Sequence, residues 1–131
     1  MTDAAPARFW LQDQLGFDIE RGEGSARATI VCDDRHLNPH GAVHGAVVYA
    51  LVDTAMGAAT MSVLDESSWC ATIEIQQRYL APVFSGPLVA DVSVVKAGRR
   101  IVHLDARVVD GDGRLVATAA GSYAVIPRPT A

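Results

Sequence analysis

The sequence predicts an α+β fold, a single domain in which one curved antiparallel β-sheet wraps around a long central α-helix. Three observations carry this. Residues 43–63 contain no proline and are overwhelmingly small or apolar. Four long runs after Ser67 alternate with period two and are rich in Val, Ile, Thr or Tyr. The last two connections, Ala97-Gly98-Arg99 and Asp110-Gly111-Asp112-Gly113, are short enough for hairpins, which makes these strands an antiparallel meander.

Taken in order, residues 7–15 form a short helical pattern in which Phe9, Trp10 and Leu15 share a face, and Gly16 ends it. Residues 17–32 read as extended, one early strand with Ala26, Ala28, Ile30 and Cys32 alternating against Arg27, Thr29 and Val31. Asn38, Pro39 and Gly41 make 33–41 a loop. The helix over 43–63 is apolar nearly all round, so it is expected to be covered on more than one side. It would be about 30 Å long and too polar at His44, Tyr49, Asp53 and Thr54 to suit lipid. The strands follow at 72–79, 88–95, 101–109 and 115–125. Pro127-Arg128-Pro129 cannot extend the last one, so 127–131, like 1–7, is expected to be flexible.

Composition narrows the class. The chain has 131 residues, half of them hydrophobic and a fifth charged, enough to bury roughly two-thirds of its unfolded surface without disulfide or metal. A net charge of −4 argues against a nucleic-acid binder. Cys32 and Cys70 lie in apolar strand-like runs with no C-x-x-C spacing, as free thiols do in a reducing cytoplasm. There is no signal-peptide pattern and no unbroken run of about 18 apolar residues, so a cytoplasmic protein without a membrane segment is expected.

The chemistry concentrates in Asn38-Pro39-His40-Gly41-Ala42-Val43-His44-Gly45-Ala46 and in Leu51-Val52-Asp53-Thr54-Ala55. Asp53 sits in the apolar middle of a helix with no Lys or Arg within a turn. Its charge is costly there unless something pairs with it or it opens into a site; pairing across a subunit contact is the purely structural alternative. His44-Gly45 at the helix start offers free N–H groups and the positive end of the helix dipole, able to hold an oxyanion or polarise a carbonyl. Nine residues separate His44 from Asp53, about 13 Å along the helix, and they point to opposite sides. If both act on one substrate, Asp53 must come from a second, antiparallel helix, and a two-fold dimer supplies one.

Asn38-x5-His44-Gly45-x7-Asp53, entering a small-residue helix followed by a four-strand meander, resembles the hotdog-fold acyl-CoA thioesterases of the phenylacetic-acid-pathway type, over roughly residues 27–126. The resemblance implies hydrolysis of an acyl- or aryl-CoA thioester in a homodimer or dimer of dimers, with coenzyme A as part of the substrate and no metal or other cofactor. It implies that Asp53 is the nucleophile or the general base and that the Gly45 N–H polarises the carbonyl. His44 would help hold that site, Asn38 would sit near the carbonyl or the water, and Thr72, ten residues before Pro82, would orient the water. Ala46 stands where the family usually has a second Gly; either its methyl group narrows the acyl or thiolate path, or the change only stabilises the first turn of the helix, where alanine is favoured over glycine by about 1 kcal/mol.

For coenzyme A phosphates, Lys96, Arg99 and Arg100 at a hairpin, with Arg78 on the preceding strand, are the densest positive group. Tyr49 and Met56 are expected to share the Asp53 side of the helix and line an acyl pocket. His36, His40 and His44 are spaced for one helical face, but Pro39 and Gly41 oppose a helix there, so no metal site is expected. His103 reads as a packed or surface residue; Trp10, Trp69 and Tyr79 read as core or rim. Two other functions fit less well. A hotdog hydratase or dehydratase generally pairs Asp and His directly on a longer chain, and an acyl-CoA sensor usually carries an added DNA-binding segment.

Overall fold

The computed structural model describes residues 8–130. A short helix α1 (Trp10–Leu15) leads into β1 (Asp18–Gly22) and β2 (Ser25–Cys32), then a 3-10 turn (Asp34–His36) and the long helix α2 (Gly45–Met61). Four strands follow: β3 (Ser68–Tyr79), β4 (Gly86–Ala97), β5 (Ile101–Asp110) and β6 (Leu115–Pro127). Together with β1 and β2 they form one six-stranded antiparallel sheet in the order β1-β2-β4-β5-β6-β3, wrapped on α2 as the hotdog fold of the family resemblance implies.

Alternation decides which face meets the helix. On β5, Val102, Leu104, Ala106 and Val108 are buried while Ile101, His103, Asp105 and Arg107 are exposed. The β2 alternation holds too, with Ala26, Ala28, Ile30 and Cys32 all buried. On α2 the buried residues are Val47, Val48, Leu51, Val52, Ala55, Met56, Ala59 and Thr60, one stripe repeating every four positions.

Several expectations need correction. The early extended stretch is two strands: Gly22 pairs with Ser25 across Glu23-Gly24, and Gly24 takes φ +67°, a conformation that glycine adopts freely. Only β4, β5 and β6 form a meander. The segment after β3 runs across the end of the sheet, with Leu80 N–H donating to Val116 O (2.9 Å), so β3 lies at the far edge beside β6. Among the described residues α2 is covered along one stripe only, because the sheet has one concave face. Ala46, Tyr49, Ala50, Asp53, Thr54 and Gly57 stay exposed or half-buried on its other side.

The chain end also differs from expectation. Pro127 closes β6 opposite Ser68, and Arg128 N–H donates to Ser67 O (2.8 Å); at the last pair of a ladder the proline's missing N–H is made good by its neighbour. Residues 1–7 and 131 lie outside the described residues. Among the described residues no helix is long and apolar enough to cross a membrane.

Candidate active site

The loop before α2 is built around Asn38. Its Oδ1 accepts from the N–H groups of His40 (2.9 Å) and Ala42 (3.2 Å), and its main chain pairs with Ala42 O (2.7 Å). The carboxamide oxygen is thus spent on the loop, and the Asn38 side chain lines a cavity of about 380 Å³ together with Gly45, Tyr79 and Pro82. His36 is buried, its Nδ1 accepting from Asp33 N–H (2.9 Å) and its Nε2 donating to Leu15 O (2.7 Å). His44 N–H donates to His36 O (2.8 Å), which fixes where α2 begins.

His44 is the N-cap of α2. Its Nδ1 accepts from Ala46 N–H (2.9 Å), so the ring is held as the tautomer with its proton on Nε2. Gly45 follows as the first helical residue, and its N–H has no acceptor among the described residues. Tyr79 closes over this turn, donating its hydroxyl to Gly45 O (2.8 Å). A Cβ on residue 45 would lie 3.0 Å from Tyr79 Cζ, so only glycine leaves room for the ring. Burial, then the nearby Tyr49 phenol, raises the Tyr79 pKa and keeps the hydroxyl a donor.

Asp53 lies two turns further along α2, on the outward side. Thr72 and Tyr123 face each other across β3 and β6, and both turn their hydroxyls to it. Thr72 Oγ1 donates to Asp53 Oδ1 (2.9 Å); the Tyr123 hydroxyl lies against the same Oδ1 and against Asp53 O (2.9 Å). One carboxylate oxygen is pinned, while Oδ2 has no hydrogen bond among the described residues. Burial, then the hydrogen bond to Asp53, drives the Tyr123 pKa strongly upward, so the phenol stays protonated. Burial first and the Asp53 charge second also raise the pKa of the half-buried Cys70 thiol.

The structure therefore brings Asn38, His44 and Gly45 together at one end of α2, and Asp53 with Thr72 about 12 Å along it. Tyr123 is absent from the sequence-based set. The signal for it was a phenol at an inward position of β6, between Gly121 and Val125, because a buried tyrosine hydroxyl needs a partner. Tyr49 is exposed near Asp53, one turn before it. Met56 takes the core side of α2 instead: it is fully buried, and its Sδ would be 2.5 Å from a Cβ on Gly121.

The four cations do not form one cluster. Arg78 faces Thr118 and then Arg107 on the outer face of the sheet, whereas Lys96 pairs with His103, and the turn carrying Arg99 and Arg100 is joined to Val125. Thr118 and Ala124 are about 20 Å apart along β6, so Arg78 and the hairpin lie at opposite ends of the sheet.

Comparison with known proteins agrees with this architecture. Residues 40–117 match the family model of the thioesterase superfamily. A protein of Saccharolobus solfataricus named as an esterase is 30% identical over 112 residues, spanning 85% of this chain and 74% of its own length. The crystal structure of a thioesterase from Haemophilus influenzae superposes with a TM-score of 0.84 at 28% identity, covering 89% of this chain and 82% of that one. The E. coli protein of the phenylacetic acid degradation operon gives a TM-score of 0.81 at 28% identity, covering 88% and 83%. With its hotdog sheet, its helix opening on His44-Gly45 and its family match over more than half its length, the chain belongs to the thioesterase superfamily.

Proposed function

We propose that the protein hydrolyses an acyl- or aryl-CoA thioester to the free acid and coenzyme A, at a site shared between two subunits. The observation that carries this is the half-exposed Asp53 carboxylate, oriented by two hydroxyls and, among the described residues, left with one free oxygen on a helix face that they do not cover.

The edge strand β3 supports the dimer. Its outer edge is unpaired among the described residues, and it exposes Trp69 (42%) and Ile73 (53%), the latter at a bulge between Thr72 and Glu74. An open edge of twelve residues is a template for a second strand. Two-fold pairing there sets the small-residue faces of two α2 helices antiparallel, so that Gly45 of one chain meets Asp53 of the partner subunit.

In that site the thioester carbonyl oxygen accepts from the Gly45 N–H at the positive end of α2, and the charge that develops on it is stabilised there. Asp53 of the partner subunit attacks the carbonyl carbon or takes a proton from the attacking water. The tetrahedral intermediate collapses by breaking the C–S bond, and the thiolate leaves and takes up a proton as coenzyme A. Where water is the attacking group, the acid is released directly; where Asp53 attacks, collapse leaves a mixed anhydride on Asp53, and a water then attacks it, breaking the bond between the acyl carbon and the Asp53 oxygen to release the acid and restore the carboxylate. His44 fixes the turn that presents the Gly45 N–H, Asn38 holds the loop beside it, and Thr72 holds Asp53. The chemistry draws on side chains, backbone and water, with coenzyme A entering as substrate, and it belongs in the cytoplasm, where coenzyme A thioesters are metabolised. Lys96, Arg99, Arg100 and Arg78 remain candidates for its phosphates, as two separate groups.

The test is free-thiol release from aryl- and alkyl-CoA thioesters by the native protein and by Asp53→Asn. A fall of about 10²-fold or more in kcat with folding intact is the expected result. Unchanged turnover in the variant would sink the mechanism.

A further inference from the structure

The outer face of the sheet carries a charge pattern that stops short at β3. One cross-strand row runs Glu20, Arg27, Asp91, Arg107, Thr118, Arg78 from edge to edge. Acid and base alternate along it as far as Arg107, and Arg27 grips Asp91 at 2.7 Å. The alternation then fails: Thr118 is neutral, and Arg78 stands at the edge with no ion pair among the described residues. Glu74, on the same strand and the same face, is likewise exposed and without an ion pair among them, and Gln76 lies between the two.

Glu74-x-Gln76-x-Arg78 is its own complement when reversed. About a two-fold axis at Gln76, an antiparallel copy sets Glu74 against the partner's Arg78 and Arg78 against the partner's Glu74. Every neighbouring register does worse. An axis at Glu74 opposes two carboxylates and one at Arg78 two guanidinium groups; axes at Ile75 or Gln77 set a charge against an amide. A slip of one residue would turn the paired side chains to opposite faces.

The levels of the shared site fix the same axis independently. Tyr79, which holds the Gly45 turn, pairs with Ala117, and Thr72, which holds Asp53, pairs with Tyr123. Midway between Ala117 and Tyr123 on β6 lies Ala120, and Ala120 pairs with Gln76; the bulge at Ile73 absorbs the odd residue on β3. A two-fold axis that brings Gly45 level with the partner's Asp53 therefore passes Gln76. Resting on the thioesterase reading for that shared site, we propose that a second copy of this chain occupies the β3 edge in this one register, selected by two Glu74–Arg78 pairs across the axis. Exposed pairs of this kind choose the register more than they add affinity. Arg78 then serves the subunit contact rather than coenzyme A.

The test reads the register directly. Gln76→Cys should cross-link to itself under mild oxidation, because only the residue on the axis faces its own copy at a distance a disulfide spans; Glu74→Cys and Arg78→Cys should not. The native protein, with Cys32 buried and Cys70 half-buried, is the blank. Glu74→Arg and Arg78→Glu, each alone, oppose like charges at both junctions and should raise the dimer dissociation constant about tenfold or more at low salt. Mixed together, these two variants should form heterodimers in preference to either homodimer, and the double variant should dimerise again, both read by native mass spectrometry. Self-cross-linking at position 74 or 78 instead of 76, or no preference for the mixed dimer, would overturn the register and, with native thiol release intact, leave the thioesterase reading standing. So would a raised KM for coenzyme A thioesters in Arg78→Glu with the dimer constant unmoved, which would return Arg78 to the substrate. A Gln76→Cys cross-link with no thiol release from any substrate by the native protein would support the register and overturn the thioesterase reading.

Discussion

At the scale of single residues the site is a matter of which lone pairs and protons are already committed. Asp53 Oδ1 is held by two hydroxyls, so Tyr123→Phe removes one restraint and leaves the carboxylate free to turn. We expect kcat to fall about tenfold with a stability loss of about 1 kcal/mol, the size of one hydrogen bond, read from thiol release and urea unfolding. Gly45→Ala places a methyl group 3.0 Å from the Tyr79 ring. The helix gains up to about 1 kcal/mol in propensity while Tyr79 is pushed off its carbonyl, so the melting temperature should hardly change while turnover drops at least tenfold. The thiols should be inert. Burial, then the Asp33 charge, pushes Cys32 up to about 11, so at pH 8 only about a thousandth of it is thiolate, and its labelling by a disulfide reagent should track unfolding. Asp53, Gly45 and His44 were legible as residue types out of place, a lone carboxylate in an apolar helix and a donor-rich turn before it. Tyr123 was not, because its role depends on a residue 70 positions away.

Elements are fixed by pattern where the pattern is local, and by neighbours where it is not. The β5–β6 hairpin is closed by Asp110, which accepts from the N–H groups of Asp112 (3.0 Å) and Arg114 (2.9 Å) and from Arg114 Nε (3.0 Å). These bonds, that from Arg114 N–H first, lower its pKa below the ordinary 3.8. The stabilisation is therefore complete above the unfolded value and is lost as pH falls through the depressed folded one. Asp110→Ala should be less stable than the native protein at pH 7, and the difference should shrink below about pH 3.5 in chemical unfolding. Between helix and sheet, Gly121 lets β6 approach Met56. Gly121→Ala should cost about 1–3 kcal/mol as the thioether is displaced, measured the same way.

For the whole molecule the decisive prediction is that neither Gly45 nor Asp53 works within its own chain alone. Ile73→Asp on the open β3 edge should abolish the dimer in sedimentation and thiol release together. Mixed Asp53→Asn and Gly45→Ala chains should regain about a quarter of native activity, since half the dimers are hybrids with one intact site. Length, alternation and the small-residue helix were enough to determine a sheet wrapped on α2, the run of four later strands, and the positions of Gly45 at its start and Asp53 in its middle, because side-chain period is a property of consecutive residues. Tertiary structure alone decided that residues 17–32 fold back as a hairpin, that β3 pairs with β6 at the far edge, and that Arg78 is parted from Lys96. Which strand neighbours which depends on closing the sheet over one helix and on the path of a loop across its end. Those are long-range choices that no stretch of sequence carries by itself.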